Sequence, residues 1–171
     1  MQSLKFYMGP QIGLLEFDDV DVAISWQEDP VLREWVKINV MGDDKIIDIY
    51  KGGETMETPT YIFTDFMGIK FAVVTGYDAS YPEFYHFARS RDVKFVISYR
   101  RADGMASFMN LKYQSWSYAQ ETAIMIFSVM EVSGKVYYGI YAPVGKFKEK
   151  SGIIYEGSGR NLTEVSFYEN S

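Results

Sequence analysis

The sequence predicts a layered α/β fold, and three features point to it. Short apolar or alternating runs of strand type recur along the chain. Two longer segments between them follow a helical period, and a β-rich stretch broken by glycines closes the chain. The 171 residues suit a single domain, 1–171, with a real core. No internal repeat and no linker rich in Pro, Gly or Ser divides them.

Taken in order, residues 21–26 and 36–40 read as strands. So do 46–50 and 61–63, with the Gly52–Gly53 turn signal and Pro59 between those two. Residues 68–75, GIKFAVVT, form a strong buried strand. Residues 81–91 read as a helix, with Pro82 acceptable in its first turn. The β-branched and aromatic run 93–98, VKFVIS, is a further strand. Residues 106–122 read as a second helix, on which Phe108, Leu111, Trp116 and Ala119 share an apolar face. A long apolar strand follows at 123–132. Shorter ones come at 137–141, 151–155 and 165–168, broken by Gly134, Gly145, Gly157 and Gly159.

Composition narrows the function classes. Aromatic residues make up 17% of the chain, with 14 Tyr and 12 Phe, which suits a packed core with Tyr-rich edges or a protein interface. A net charge of −6 argues against a nucleic-acid surface, since the dense basic stretches, Arg100–Arg101 and 146–150, are short. No apolar run approaches the roughly 20 residues that span a bilayer. The opening MQSLKFYMGPQIGLL has no charged-then-apolar signal with a small-residue cleavage site, so a cytoplasmic, non-membrane protein is expected. With zero cysteines, disulfides, thiolate ligands and thiol catalysis are excluded. The single histidine, His86, leaves one candidate base for a triad and none for a multi-His metal site, and it reads as a packed or solvated helix residue. No metal or cofactor is expected.

The stretch T-D-F-M-G-I-K-F-A-V-V-T-G-Y-D-A-S-Y-P-E, from Thr64 to Glu83, resembles the nucleophile elbow of the nitrilase, or carbon–nitrogen hydrolase, superfamily. In that family a Gly opens the strand, the strand ends Cys-Tyr-Asp, and Pro-Glu follows. Here Gly68, Tyr77–Asp78 and Pro82–Glu83 match, and the cysteine position falls on Gly76. Such an elbow exposes the nucleophile and aims backbone N–H groups at the developing oxyanion. Glycine takes the turn with ease and has nothing to attack with.

Weaker matches follow in order over about residues 30–168. The family's Arg-Lys-x-His-Leu strand resembles W-V-K-I-N-V, which puts Lys37 at the catalytic lysine's place with Val36 and Asn39 for the Arg and His. Y-K-G-G-E-T, from Tyr50, resembles the loop before the elbow strand. The family's Arg-Ala-x-Glu-Asn helix end, strand and Asn-x-x-Gly resemble the stretch from Ser117 to Gly134, with Ala119 and Glu121 matching. Y-A-P-V-G-K, from Tyr141, resembles its Asp-Pro-x-Gly turn.

The resemblance implies a nitrilase-like αββα sandwich that lacks the first βα units, with both helices on one sheet. The second sheet would then be incomplete and would leave an apolar face needing cover. It also implies a Glu–Lys–Cys triad, of which the cysteine is absent. Glu16, in IGLLEF, is the one tempting upstream carboxylate, although the early units that would carry the family's Glu are missing. Lys37 reads either as a retained catalytic lysine or as a solvated strand residue. Thr75 and Ser80 are poor replacement nucleophiles, the first facing the wrong side of its strand and the second four positions along. Asp78 and Glu83 read as a helix cap and a dipole-stabilised first-turn residue. Glu121 is either an inward carboxylate or a helix-end residue. The function implied is a non-catalytic homologue acting as a binding or oligomer partner, in which an amide- or acyl-bearing ligand would meet Tyr77, Tyr99 and Glu121. The alternative is an active amide or nitrile hydrolase working from a non-cysteine site near Lys37.

Overall fold

The computed structural model describes residues 2–8, 12–17, 20–29, 33–40, 45–52, 62–66, 69–75, 79–146, 151–159 and 163–167, and before residue 70 it is the backbone that is described. Among these residues twelve strands form two six-stranded sheets, and two helices cover one of them.

The first sheet is a continuous antiparallel meander. Its strands β1 (Gln2–Met8), β2 (Ile12–Phe17), β3 (Val20–Asp29), β4 (Arg33–Val40) and β5 (Lys45–Gly52) pair in chain order. From the far end of the sequence, β12 (Thr163–Phe167) pairs with β1, with Leu4 opposite Val165. The expectation of an incomplete second sheet is therefore corrected. Instead of βα units there are hairpins whose connections, 9–11, 18–19, 30–32 and 41–44, run to two to four residues. Antiparallel neighbours need no more than that, whereas a parallel crossover takes a dozen or so. The period-2 pattern of Leu4, Phe6 and Met8 against Lys5 and Tyr7 supports β1, a strand the sequence reading left unassigned.

The second sheet is mixed, in the order β11–β10–β9–β8–β7–β6. β6 (Ile62–Phe66) and β7 (Ile69–Thr75) form an antiparallel pair. β7 then runs parallel to β8 (Phe95–Ala102), and β8 parallel to β9 (Met125–Val132), through the helices α1 (Pro82–Ser90) and α2 (Met105–Thr122). β10 (Lys135–Tyr141) and β11 (Ile153–Ser158) return antiparallel. The two helices expected from sequence are present on one sheet, and the expected strands from 68 onward are present with ends moved by a few residues.

The cap of α1 differs from expectation. Its N-cap is Tyr81 rather than Asp78, and no side chain caps it; Pro82 and Glu83 occupy the first turn as their chemistry favours. On α2 the buried positions are Ser115, Ala119 and Thr122, while Phe108, Leu111 and Trp116 are half-buried. The helix thus lays a largely polar stripe on the sheet.

Strand alternation sorts the side chains of the second sheet. Val96, Ser98 and Arg100 of β8 lie under the helices. Phe95, Ile97 and Tyr99 face the first sheet, whose β5 packs on β6 and β7 and whose β4 packs on β7. Val165 of β12 joins the same buried cluster as Phe127 and Ile97. Gly139 of β10 is required by packing, because a Cβ there would collide with the Tyr141 ring that folds back over it.

Phe127 is 0% exposed at the centre of this core, and Met105 is 56% exposed. Phe127→Ala is expected to cost about 3–5 kcal/mol and Met105→Ala less than about 0.5 kcal/mol, read from urea denaturation midpoints at constant slope.

Candidate functional site

In open sheets ligands bind beyond the carboxyl ends of parallel strands. Here those ends belong to β7, β8 and β9. β7 stops at Thr75, so position 76 follows it directly, and α1 begins six positions further on. Gly76, Tyr77 and Asp78 lie outside the described residues.

The ladder places Tyr99 beside Thr75, and Val129 beside Tyr99. Tyr99 is 3% exposed, and its hydroxyl donates to Glu131 Oε2 at 2.5 Å, a distance that fits a charge-assisted O–H···O⁻ bond. Glu131 is half-buried and shares the first-sheet-facing side of its strand with Phe127 and Val129. A phenol and a carboxylate thus stand together at the carboxyl ends of neighbouring parallel strands. Sequence reading named Tyr99 and passed over Glu131, although the signal was there: Glu131 stands where the Asn of the family's Asn-x-x-Gly would be.

Lys37 lies on β4, opposite Ser25 on one side and Ile49 on the other, and its side chain is outside the described residues. β4 packs on β7, which brings the strand of Lys37 to the strand that leads into position 76. Glu121 is exposed near the end of α2, the helix-end alternative of its two readings. His86 is exposed on α1. Glu16 is on β2 opposite Lys5 and Asp21, at the backbone level alone.

The other face of β8 holds a second polar cluster. Arg100 is 2% exposed. Its Nη1 donates to Ser80 Oγ at 3.1 Å and Gln114 Oε1 at 2.8 Å, and its Nη2 donates to Leu111 O at 2.8 Å and Ser115 Oγ at 2.9 Å. A guanidinium has five N–H donors. Among the described residues four are used, all on neutral acceptors, and Nε has no partner. Ser115 Oγ lies 3.0 Å from both Leu111 O and Ser128 Oγ, which ties α2 to β9. Ser98 Oγ forms no hydrogen bond of good geometry, though it is close enough to Tyr85 to favour the phenolate slightly.

Burial lowers the pKa of Arg100, and three nearby phenols, Tyr85, Tyr118 and Tyr141, oppose that shift. Burial raises all three phenols, with Arg100 pulling each the other way. Tyr141 is raised by its burial and, beyond that, by Glu156, which adds like charge and accepts its hydroxyl at 3.2 Å. Glu156 also pairs with Lys112 of α2 at 3.0 Å.

Among the described residues no group of three or more His, Asp or Glu side chains could hold a metal ion, and no helix is long and apolar enough to cross a membrane.

No protein-family profile matches the sequence, and no curated protein matches it at a significant level. Solved structures do. One is an amidase from Nesterenkonia sp. AN1, seen as a Glu-to-Gln variant with acrylamide added at its active-site cysteine. It superposes with a TM-score of 0.62 at 14% identity, over 85% of this chain and 61% of its own. The Cys-to-Ala variant of the same nitrilase-superfamily amidase gives 0.61 at 15% identity, over 84% and 59%. That variant in complex with butyramide gives 0.62 at 15%, again over 84% and 59%. The fold is therefore that of nitrilase-superfamily amidases, and the chain spans about three-fifths of their length. The two-sheet sandwich is shared; among the described residues its helical layer lies on the second sheet.

The raised phenols set the response to alkali. A group whose pKa is higher folded than unfolded adds stability that is complete below the unfolded value, about 10 for Tyr, and is lost as pH rises through the folded value. Urea midpoints are expected to be flat from about pH 8 to 9.5 and to fall above about pH 10. Tyr141→Phe should make that fall shallower, and absorbance at the tyrosinate band should rise together with unfolding.

Proposed function

We propose that this chain is a non-catalytic protein of the nitrilase fold that acts as a binding or oligomer partner. A single observation carries the reading. In a fold matched by amidases with an active-site cysteine, the position that resembles their nucleophile is Gly76, and the chain has no cysteine with which to replace it. Without a nucleophile the covalent route closes, and positioning alone cannot restore acyl transfer. What the site can still do is bind. The carboxyl ends of β7, β8 and β9 offer Tyr99 and Glu131, with Tyr77 and Lys37 as further candidates, to an amide- or acyl-bearing ligand. The reading includes a cytoplasmic setting and self- or hetero-association.

The Tyr99–Glu131 pair also favours a second reading, an active hydrolase working from a non-cysteine site near Lys37. In it the carboxylate would activate water rather than a thiol.

Ammonia release from a panel of short amides and nitriles, butyramide and acrylamide among them, separates the two. No turnover above the uncatalysed rate is expected, and Gly76→Cys alone should remain inactive. Turnover that is abolished by Lys37→Ala or Glu131→Gln would sink the non-catalytic reading. Sedimentation of the purified chain should show self-association or recruitment of a partner, and a strict monomer that binds nothing counts against the partner role.

A further inference from the structure

Among the described residues, two buried polar atoms on the helix side of β8 have no partner. Ser98 is 0% and Arg100 2% exposed, and neither Ser98 Oγ nor Arg100 Nε makes a hydrogen bond of good geometry. They stand two positions apart on one strand, so both project under the helices, with Cα atoms about 6.6 Å apart. A buried polar group left bare costs more than a hydrogen bond ordinarily contributes, and folded proteins commonly answer it with an ordered water or an ion.

The register shows where room arises. The parallel ladder sets Ser98 beside Ser128, and the antiparallel one sets Ser128 beside Gly139. Above this row α2 presents its buried Ser115, joined to Ser128 at 3.0 Å, and its buried Ala119. Small side chains thus meet small side chains between helix and sheet. Interiors are close-packed, so the volume they leave is taken up by something else. Over Gly139 it is the ring of Tyr141.

We infer that beside Ser98 it is a water molecule, bound between Ser98 Oγ and Arg100 Nε beneath α2. Hydrogen-bond bookkeeping favours water over an ion. Arg100 Nε–H and the Ser98 hydroxyl donate to its oxygen. Its own two protons go to Ser128 Oγ and Tyr85 Oη. Ser128 Oγ keeps a lone pair whichever of Ser115 and Ser128 supplies the proton between them. Tyr85 spends its proton on Ala79 O, which leaves its oxygen to accept, and Ser98 lies close enough to act on that phenol. A halide would answer the guanidinium's charge but would face the lone pairs of these two oxygens. Water meets all four groups, at the upper end of what buried waters make.

The test uses the full-length chain. In isotope-labelled protein the Arg100 Nε–H proton should show a dipolar cross-peak to water, told from chemical exchange by its opposite sign in the rotating frame. Ser98→Val removes the hydroxyl and puts methyl groups where the water lies, with a residue type that strands favour. It should lower the number of long-lived internal waters by one, as read by water-oxygen magnetic relaxation dispersion. Ser117→Val, on the exposed side of α2, should leave that number unchanged. The dipolar contact is read on the unsubstituted chain, so it decides the matter even if Ser98→Val does not fold. No contact at Arg100 Nε–H overturns the inference, as does an unchanged count in folded Ser98→Val. An anomalous peak beside Nε in crystals grown from bromide overturns it in favour of an anion.

Discussion

Burying a guanidinium beneath a helix obliges the surrounding chain to supply acceptors, and much of the helix-covered side of this fold is that supply. An unpaired charge taken out of water costs several kcal/mol. Among the described residues Arg100 meets no carboxylate. It meets Gln114, Ser115 and the Leu111 carbonyl from α2, and Ser80 from the turn before α1. This explains why the inner face of α2 carries Ser115 where an ordinary amphipathic helix would carry Leu or Ile. The polar stripe fixes the position of α2 along β8, because hydrogen bonds have directions and apolar contacts largely do not.

That constraint also marks the limit of what could be read from the residues alone. The strands from β7 to β10 and both helices are legible, since GIKFAVVT and VKFVIS are apolar apart from one lysine near the start and a hydroxyl at the end of each, close to what parallel strands covered on both faces should be. The inner face of α2 is not legible, because periodicity weighs Phe108 and Trp116 as core and gives no weight to a serine that serves an arginine from another element. In the first sheet the strands expected at 21–26, 36–40 and 46–50 are present within β3, β4 and β5, and what was not legible was that they belong to a complete six-stranded sheet. Its strands alternate polar and apolar residues and are joined by short connections, so they look slight one at a time. Their meaning lies in their sequence-adjacent pairing and in β12 closing on β1 from more than a hundred residues away, a partnership no local window shows. The meeting of Tyr99 with Glu131 depends on the β8–β9 register, a pairing no local window shows.

The amidases that share the fold are described with an active-site cysteine. In this chain β7, the turn at Ala79 and Ser80 and α1 follow one another, and the sequence contains no cysteine. Those parts need not be lost together. The scaffold of the elbow is maintained by burial and backbone pairing, which act on stability directly. Under the proposed reading, a nucleophile contributes chemistry and little packing, so a glycine at position 76 is compatible with the hydrogen bonds at Ala79 and Ser80.

Residues 99 and 100 show how one strand serves both demands. They are neighbours in sequence and, by the period of a strand, point to opposite faces. Arg100 goes under the helices and binds the architecture together. Tyr99 goes toward the first sheet, beside Thr75, and meets Glu131. A one-residue slip of β8 would put the phenol under α2 and the guanidinium between the sheets, breaking both polar clusters at once. The register of β8 is therefore the variable that couples the two faces. It is held by its parallel ladders to β7 and β9, which are buried on both sides and so among the last parts of the chain to open. The placement of Tyr99 beside Glu131 is thus set by one of the most protected parts of the fold.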